Sequence, residues 1–168
     1  MLEILALGAF SGLLIFAAGS DVATMTIPNW VSLTLAGLFP VAALASGLPL
    51  ATIGLHLLFG TAMLALGFLL FQIRVFGGGD AKLIAAAAVW TGFAAFGQFA
   101  LWTALAGGVM ALALVITRWR VKPAETRPAF VNRLLKLRGG VPYGVAIMTG
   151  GLMALGALPF ESSALTLP

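Results

Sequence analysis

Apolar residues form six runs along the chain, and short stretches of polar residues, glycine or proline separate them. The runs cover about residues 2–19, 30–46, 51–73, 81–92, 96–117 and 141–160. The fourth run is short, and we expect its helix to begin at Asp80 and to continue to about Ala95. A membrane-spanning helix needs about 20 residues. The pattern therefore predicts an all-α, polytopic membrane protein with six transmembrane helices.

Helix-breaking residues mark the predicted boundaries. They are Pro28 with Asn29, Gly47 with Pro49, the glycines at 77–79, Gly97, and the glycines at 139–140. Gly97 is the predicted break between the fourth and the fifth span. Six spans and short loops leave no room for a soluble domain, so we expect a single membrane-embedded domain over 1–168.

The composition supports this class. The chain has 168 residues, of which 61% are hydrophobic and 8% are charged, and its mean hydropathy is +1.11. Soluble domains carry about 25% charged residues, so an ordinary soluble enzyme and a disordered chain are both excluded. The chain has no cysteine and one histidine. Disulfides and thiolate sites are therefore excluded, and we expect no metal.

The cations predict the orientation. With six spans, all nine lie on one side of the membrane: Arg74, Lys82, Arg118, Arg120, Lys122, Arg127, Arg133, Lys136 and Arg138. Glu3 and Glu161 lie on the opposite side. The positive-inside rule makes the basic side cytoplasmic and places both termini outside. The net charge of +4 is thus explained by basic cytoplasmic loops, and we expect no nucleic-acid partner.

The longest predicted loop, residues 118–140, holds seven of the nine cations. Within it, Phe130, Leu134 and Leu137 have helical spacing. This pattern is typical of a basic amphipathic segment on anionic lipid. Docking of a substrate is the alternative.

Asp21 and Asp80 are the only aspartates in the chain. Both fall at predicted cytoplasmic helix ends, and ionisable groups at membrane depth are usually functional. Two carboxyl groups that lie close together share a proton, so that one accepts a proton from water while the other donates one. Gly77, Gly78 and Gly79 would let an extended peptide approach Asp80. This combination favours aspartic proteolysis.

Structural roles for the same residues remain open at this point. Asp21 would pair with Lys82 or with a lipid headgroup, and Asp80 would be the N-cap of the fourth helix. Pro28 suits the first turn of the second helix, where Asn29 would cap nearby amides. The single histidine, His56, is expected to be a packed or interfacial residue.

Several motifs resemble those of the type IV prepilin peptidases, which are membrane-embedded aspartic proteases. One is the Ala-rich stretch 85–92, which ends in Trp90-Thr91-Gly92 and is similar to the end of their fourth helix. The sequence Gly-Gly-Gly-Asp-Ala-Lys-Leu at 77–83 is similar to their Gly-x-Gly-Asp-x-Lys-Leu signature. Asp21 followed by Ile27-Pro28-Asn29 resembles their first motif. Pro142 and Tyr143, within Val-Pro-Tyr-Gly at 141–144, resemble the element that opens the last helix.

The resemblance implies roles for single residues. Asp21 and Asp80 would be the catalytic pair, Gly77 and Gly79 the signature glycines, and Lys82 the signature lysine. A cation beside Asp80 would keep that carboxyl ionised, so we expect Lys82 to point away from it. No cofactor is implied.

The resemblance also implies a substrate and a location. The family removes a short basic leader from prepilin-like precursors, here Flp-type pilins or pseudopilins, at the cytoplasmic face of the bacterial inner membrane. The expected partners are these precursors and membrane lipid, and the oligomeric state is left open. Bifunctional members carry a cysteine-containing domain associated with N-methylation. This chain lacks cysteine and resembles the compact CpaA/TadV-like branch, so we expect no methyl transfer.

Rival functions remain. An intramembrane protease of the presenilin or signal-peptide-peptidase type shares the Gly-x-Gly-Asp element but cuts within spanning helices. A small proton-coupled transporter would also use membrane carboxylates. A catalytically inactive scaffold for pilus assembly is the third alternative.

Overall fold

The computed structural model describes residues 2–122, 124, 126, 128–136 and 140–160, and this part of the chain is helical. Its helices are α1 (Leu2–Thr24), α2 (Asn29–Ala45), α3 (Leu50–Gln72), α4 (Gly78–Arg120), α5 (Ala129–Leu135) and α6 (Gly144–Met153), followed by a 3₁₀ turn at Leu155–Ala157. Three of them, α1, α3 and α4, are long and apolar enough to cross a membrane. The shorter helices α2 and α6 are also apolar. The predicted all-α class is confirmed for the described residues, and three helices, against six predicted spans, are long and apolar enough to cross a membrane.

Proline and glycine set the turns between α1, α2 and α3. Pro28 and Pro49 each precede the first residue of a helix and have extended backbones, with ψ of 136° and 139°. Such positions suit proline, because its missing N–H has no partner at a helix start. Gly47 has a φ of +74°, which closes the turn after α2.

α4 is interrupted at Gly92, whose φ of 56° and ψ of −171° are open only to glycine. The first segment of α4 (78–91) and the second segment (93–120) line a common cavity through Ala81 and Thr103. A straight helix would separate those two residues by about 33 Å. The second segment therefore turns back beside the first.

The predicted break at Gly97 was wrong by five residues. A Cβ at Gly97 would have open space around it, and the helix continues through this position. At Gly92 the ring of His56 occupies the place of a Cβ, and the Nδ1 atom of His56 lies 2.8 Å from the carbonyl oxygen of Val89. His56 is therefore a packed residue, as expected.

Aromatic side chains fill the centre of the bundle. Trp90 is fully buried, its ring lies 5.0 Å from Phe10 and 5.6 Å from Phe160, and its Nε1 donates to the Leu35 carbonyl at 2.7 Å. These contacts tie α1, α2 and the chain after α6 to the first segment of α4. The core therefore fixes the helices that carry the site.

The last apolar run is only partly helical. We predicted a span over 141–160, but α6 ends at Met153 and a 3₁₀ turn follows. Leu158 is extended, with ψ of 150°, and precedes Pro159, which disfavours helix at the residue before it. The chain thereby turns back and inserts Phe160 into the core.

The basic loop packs on the bundle through arginine. The guanidinium of Arg118 donates to the carbonyls of Leu134 and Gly140, both at 2.7 Å, and Arg133 donates to the carbonyl of Ala23 near the end of α1 at 2.9 Å. Leu135 is buried. Arg127, Leu137, Arg138 and Glu161, on which parts of the loop and topology predictions rest, lie outside the described residues.

Candidate active site

Asp21 lies in the last turn of α1 and is 6% exposed. α1 ends just beyond it, where Met25 has a left-handed φ of 57° and its N–H bonds to the Asp21 carbonyl at 2.7 Å. The side-chain Oδ2 accepts the N–H of Gly144, the first residue of α6, at 2.8 Å. The start of α6 therefore holds the Asp21 carboxyl group.

Helices α1 and α6 approach each other closely at Asp21 because residue 144 is glycine. A Cβ there would lie 3.0 Å from the Cβ and 3.1 Å from the Oδ2 of Asp21, closer than ordinary van der Waals contact. Gly144 is the last residue of the Val-Pro-Tyr-Gly motif, and the sequence alone does not predict its contact with Asp21. Its proximity to Asp21 depends on the packing of α6 against α1.

Asp80 lies in the first turn of α4. The helix begins at Gly78 and its N-cap is Gly77, so the alternative that Asp80 is itself the N-cap was wrong. The Asp80 carboxyl group accepts the N–H of Gly77. Reaching back from the third helical residue to the N-cap amide is half of a capping box. Asp80 therefore stabilises the helix start while its carboxyl group lies beside the glycine segment.

The two carboxyl groups lie at the same end of the bundle. They are close enough for the charge of Asp21 to act on Asp80. The connection from α1 to α2 packs on the glycine segment, since a Cβ at Gly79 would lie 3.3 Å from the Cβ of Ile27. The structure thus brings together Asp21, Ile27, Gly79 and Asp80, which are up to 59 positions apart in the sequence.

Tyr143 lies in the turn before α6, after Pro142, and contributes a phenol to the same region. Burial raises the pKa of its hydroxyl above the ordinary value, and the nearby charge of Asp80 raises it further. Its ring packs against the position of Gly107 and lies 6.2 Å from the ring of Phe76. At neutral pH the hydroxyl is therefore protonated and able to donate a hydrogen bond.

Lys82 lies on another face of α4. Two residues along a helix correspond to a rotation of about 200°, and the Nζ atom of Lys82 donates to Oδ1 of Asn29 at 3.0 Å. The expectation that Lys82 points away from Asp80 is confirmed, and its suggested pairing with Asp21 was wrong. Asn29 was expected to cap amides, but its side chain accepts from Lys82, and no side chain among the described residues caps the start of α2.

An apolar cavity of about 210 Å³ is lined by Ala81, the residue after Asp80, and by Tyr143. Its walls come from α3, both segments of α4 and the turn before α6, and they include Phe76, Ala81, Ile84, Phe99 and Tyr143. A peptide at the carboxyl pair would therefore have an apolar space next to it. Within the described residues, no three His, Cys, Asp or Glu side chains cluster as metal ligands.

The arrangement suits proton transfer at a peptide bond. When the charges of two carboxyl groups interact, the groups lose their protons in separate steps, so that one can be ionised while the other is protonated. The ionised group accepts a proton from water, and the protonated group donates to a carbonyl oxygen. The amides of Gly77 and Gly144 orient the two groups.

A comparison with protein families agrees with action on a peptide bond. The model of the type IV leader peptidase family matches residues 8–112. The match includes both aspartates, the glycine segment and the Ile27-Pro28-Asn29 element, and it ends before Pro142 and Tyr143. No curated protein and no solved structure matches the chain significantly.

Proposed function

Because the chain belongs to the type IV leader peptidase family, we propose that it is an aspartic endopeptidase that removes the short basic leader from prepilin-like precursors. The observation that carries the proposal is the convergence of Asp21 and Asp80 at one end of the bundle. Flp-type pilins and pseudopilins are the proposed substrates. Cleavage takes place at the cytoplasmic face of the bacterial inner membrane, without a cofactor.

In the proposed reaction, the ionised member of the pair removes a proton from water. The water oxygen attacks the scissile carbonyl carbon while the protonated member donates its proton to the carbonyl oxygen. When the carbon–nitrogen bond breaks, the leaving amine takes the proton that the first carboxyl group had removed from water. A hydroxyl of the tetrahedral intermediate returns its proton to the other carboxylate as the new carboxyl product forms. The carboxyl groups thereby return to the state that shares one proton.

The surroundings of the pair support binding of an extended peptide. The segment Gly77, Gly78 and Gly79 presents backbone without side chains next to Asp80. The apolar cavity between Ala81 and Tyr143 would receive an apolar side chain near the cut. The substrate's own apolar helix remains in the bilayer, and its basic leader lies in the cytoplasm.

We also propose six membrane crossings with both ends of the chain on the periplasmic side. In this topology α4 crosses twice, because the chain reverses at Gly92. The described cations of the α3–α4 turn and of the segment after α4 then lie on the cytoplasmic side together with the carboxyl pair.

The test is cleavage of a prepilin-like precursor by the purified protein in lipid, read by intact mass. Asp21→Asn and Asp80→Asn should each lower the cleavage rate by at least about 100-fold, while the protein still inserts. Glu3→Gln makes the same carboxylate-to-amide change near the other end of α1 and should retain full activity. Full processing by either aspartate variant would contradict the proposed pair.

The mass of the products tests the finer parts of the proposal. A cut at the junction between leader and apolar helix is expected, whereas a cut inside that helix would indicate an intramembrane protease. With S-adenosylmethionine present as methyl donor, the new N-terminus should gain no methyl group. A methylated product would contradict cleavage without methyl transfer.

A further inference from the structure

A second cavity lies on the far side of the first α4 segment from Asp80. It has a volume of about 390 Å³ and lies between α2, α3 and α4. Ala36, Leu57, Leu64 and Val89 contribute to its apolar walls. Lys82 and Asn29 lie at one end. The cavity is therefore an apolar groove with a polar end, and the proposed proteolysis does not use it.

In the proposed six-crossing topology, the groove faces the hydrocarbon region of the membrane. The rim residues Leu33 and Leu64 are exposed, at 72% and 46%. Its floor is formed where α3 approaches α4 at Gly60, since a Cβ there would collide with Val89. From Lys82 to Val89 the groove follows α4 for about 10 Å, about two-thirds of one leaflet's hydrocarbon depth.

Within the described residues, no acidic side chain pairs with the positive charge at the polar end. Lys82 is exposed, and its hydrogen-bond partner in the described part of the chain is the neutral side chain of Asn29. An ammonium has three N–H donors, so two remain for another acceptor. Since Oδ1 of Asn29 accepts from Lys82, its amide nitrogen also remains as a donor. This end is therefore complementary to an anionic oxygen group.

We propose that this groove binds an anionic phospholipid, with the headgroup phosphate at Lys82 and Asn29 and one acyl chain along Ala36, Leu57 and Val89. Lys82 lies two residues after Asp80, in the part of α4 that the proposal for proteolysis places at the cytoplasmic membrane surface. A lysine there attracts anionic headgroups. The apolar walls accept the chain that a free phosphate lacks.

The test measures lipid binding and does not depend on activity. The full chain in detergent is mixed with phosphatidylglycerol or phosphatidylcholine of the same acyl chains, and bound lipid is counted by native mass spectrometry. Wild type should retain phosphatidylglycerol about fivefold better than phosphatidylcholine. Lys82→Gln should remove this preference. Arg74→Gln removes an exposed cation outside the groove and should keep it.

A groove-filling variant tests the acyl chain separately. Thr61 lines the groove and is exposed, so Thr61→Phe should weaken binding of both lipids while leaving their ratio unchanged. Ala36→Leu provides the same test from the α2 wall if Thr61→Phe does not fold. Melting curves identify folded variants.

Several results would overturn the proposal. Equal retention of the two lipids by wild type, or an unchanged preference in Lys82→Gln, would show that Lys82 does not bind the headgroup. Unchanged binding in both folded groove-filling variants would show that the acyl chain does not lie in the groove. Inorganic phosphate that displaces the lipid at equal concentration would indicate an anion site without a groove, and displacement by a prepilin-like precursor would assign the groove to substrate.

Discussion

At the scale of single residues, the candidate site depends on backbone amides as much as on carboxyl groups. Asp21 accepts from the Gly144 amide at the start of α6, and Asp80 accepts from the Gly77 amide at the start of α4. Amides at a helix start have no partner within the helix and favour a negative charge. Asp21 is therefore oriented by the start of another helix, α6. Asp80 is oriented by the start of its own helix, α4.

Gly144→Ala should lower kcat by about tenfold and change KM little. The added Cβ would lie 3.0 Å from the Cβ of Asp21, so the carboxyl group must move by several tenths of an ångström, and small misplacements of reacting groups are costly. Kinetics of precursor cleavage measure this. Gly12→Ala in α1, where a Cβ meets open space, should behave as wild type. An unchanged kcat in Gly144→Ala would show that this contact does not position Asp21.

Tyr143 should ionise only above its ordinary pKa of about 10, because burial and the charge of Asp80 raise the pKa of its hydroxyl. It is the only tyrosine in the chain, so the absorbance of the phenolate reports it alone. Asp80→Asn removes the charge and should lower the midpoint. A midpoint unaffected by Asp80→Asn would mean that the two groups do not interact.

The raised pKa of Tyr143 also predicts how the stability of the protein changes with pH. The folded state holds the phenolic proton more tightly than the unfolded state, so this contribution is fully present below about pH 10 and is lost as pH rises through the folded pKa. Tyr143→Phe has no phenolic proton to lose. Its melting temperature should therefore fall less than that of wild type between neutral and strongly alkaline pH.

At the scale of elements, the break in α4 decides the shape of the bundle. Gly92 has a backbone that side chains do not tolerate, and His56 from α3 fills the space beside it and lies 2.8 Å from the Val89 carbonyl. The carbonyl oxygen of Val89, near the end of the first segment, thereby has a side-chain partner. The reversal is thus built from one glycine and one histidine 36 positions apart.

Gly92→Ala should lower the free energy of unfolding by at least about 2 kcal/mol, from backbone strain together with the collision with the His56 ring. Gly97→Ala, five residues later in the same helix, meets open space and should be neutral or up to about 1 kcal/mol stabilising. Thermal unfolding in detergent compares the two. Equal stability of these variants would place the reversal elsewhere.

Apolar runs predict helices well and their ends less well. α1 was predicted to end at about residue 19, but it continues to Thr24 through Ser20 and Asp21. Its last turn is polar and is held locally, since the hydroxyl of Thr24 donates to the Ser20 carbonyl at 2.8 Å. The hydropathy pattern indicates where a helix leaves apolar surroundings, whereas the hydrogen bonds of its last turn determine where the helix ends.

At the scale of the whole molecule, the sequence predicted that the two aspartates share one end of the bundle, because counting spans fixes which ends face the same side. It did not predict the Gly144 amide at Asp21, which lies 123 positions away, or the groove behind Lys82. Those features arise from the packing of α6 and α2 against the other helices. Periodicity along a single helix contains no information about such distances.

The six-crossing topology can be tested with single cysteines, because the chain has none. Val75→Cys and Gly140→Cys, at exposed positions, should react with a membrane-impermeant maleimide from the cytoplasmic side, in inverted vesicles. Ala45→Cys and Phe93→Cys should react from the opposite side, in intact cells. Denatured protein provides the control for total cysteine.

Phe93 is the deciding position, because it follows Gly92 and is 85% exposed. If the chain reverses there, residue 93 lies at the outer membrane surface and reacts. If α4 crossed once as a straight helix, residue 93 would lie about 20 Å beyond residue 80. That depth falls within the hydrocarbon region, which is about 30 Å thick, and the cysteine would be unreactive from either side. Reaction from outside would therefore establish the double crossing, which returns the second α4 segment to the carboxyl pair.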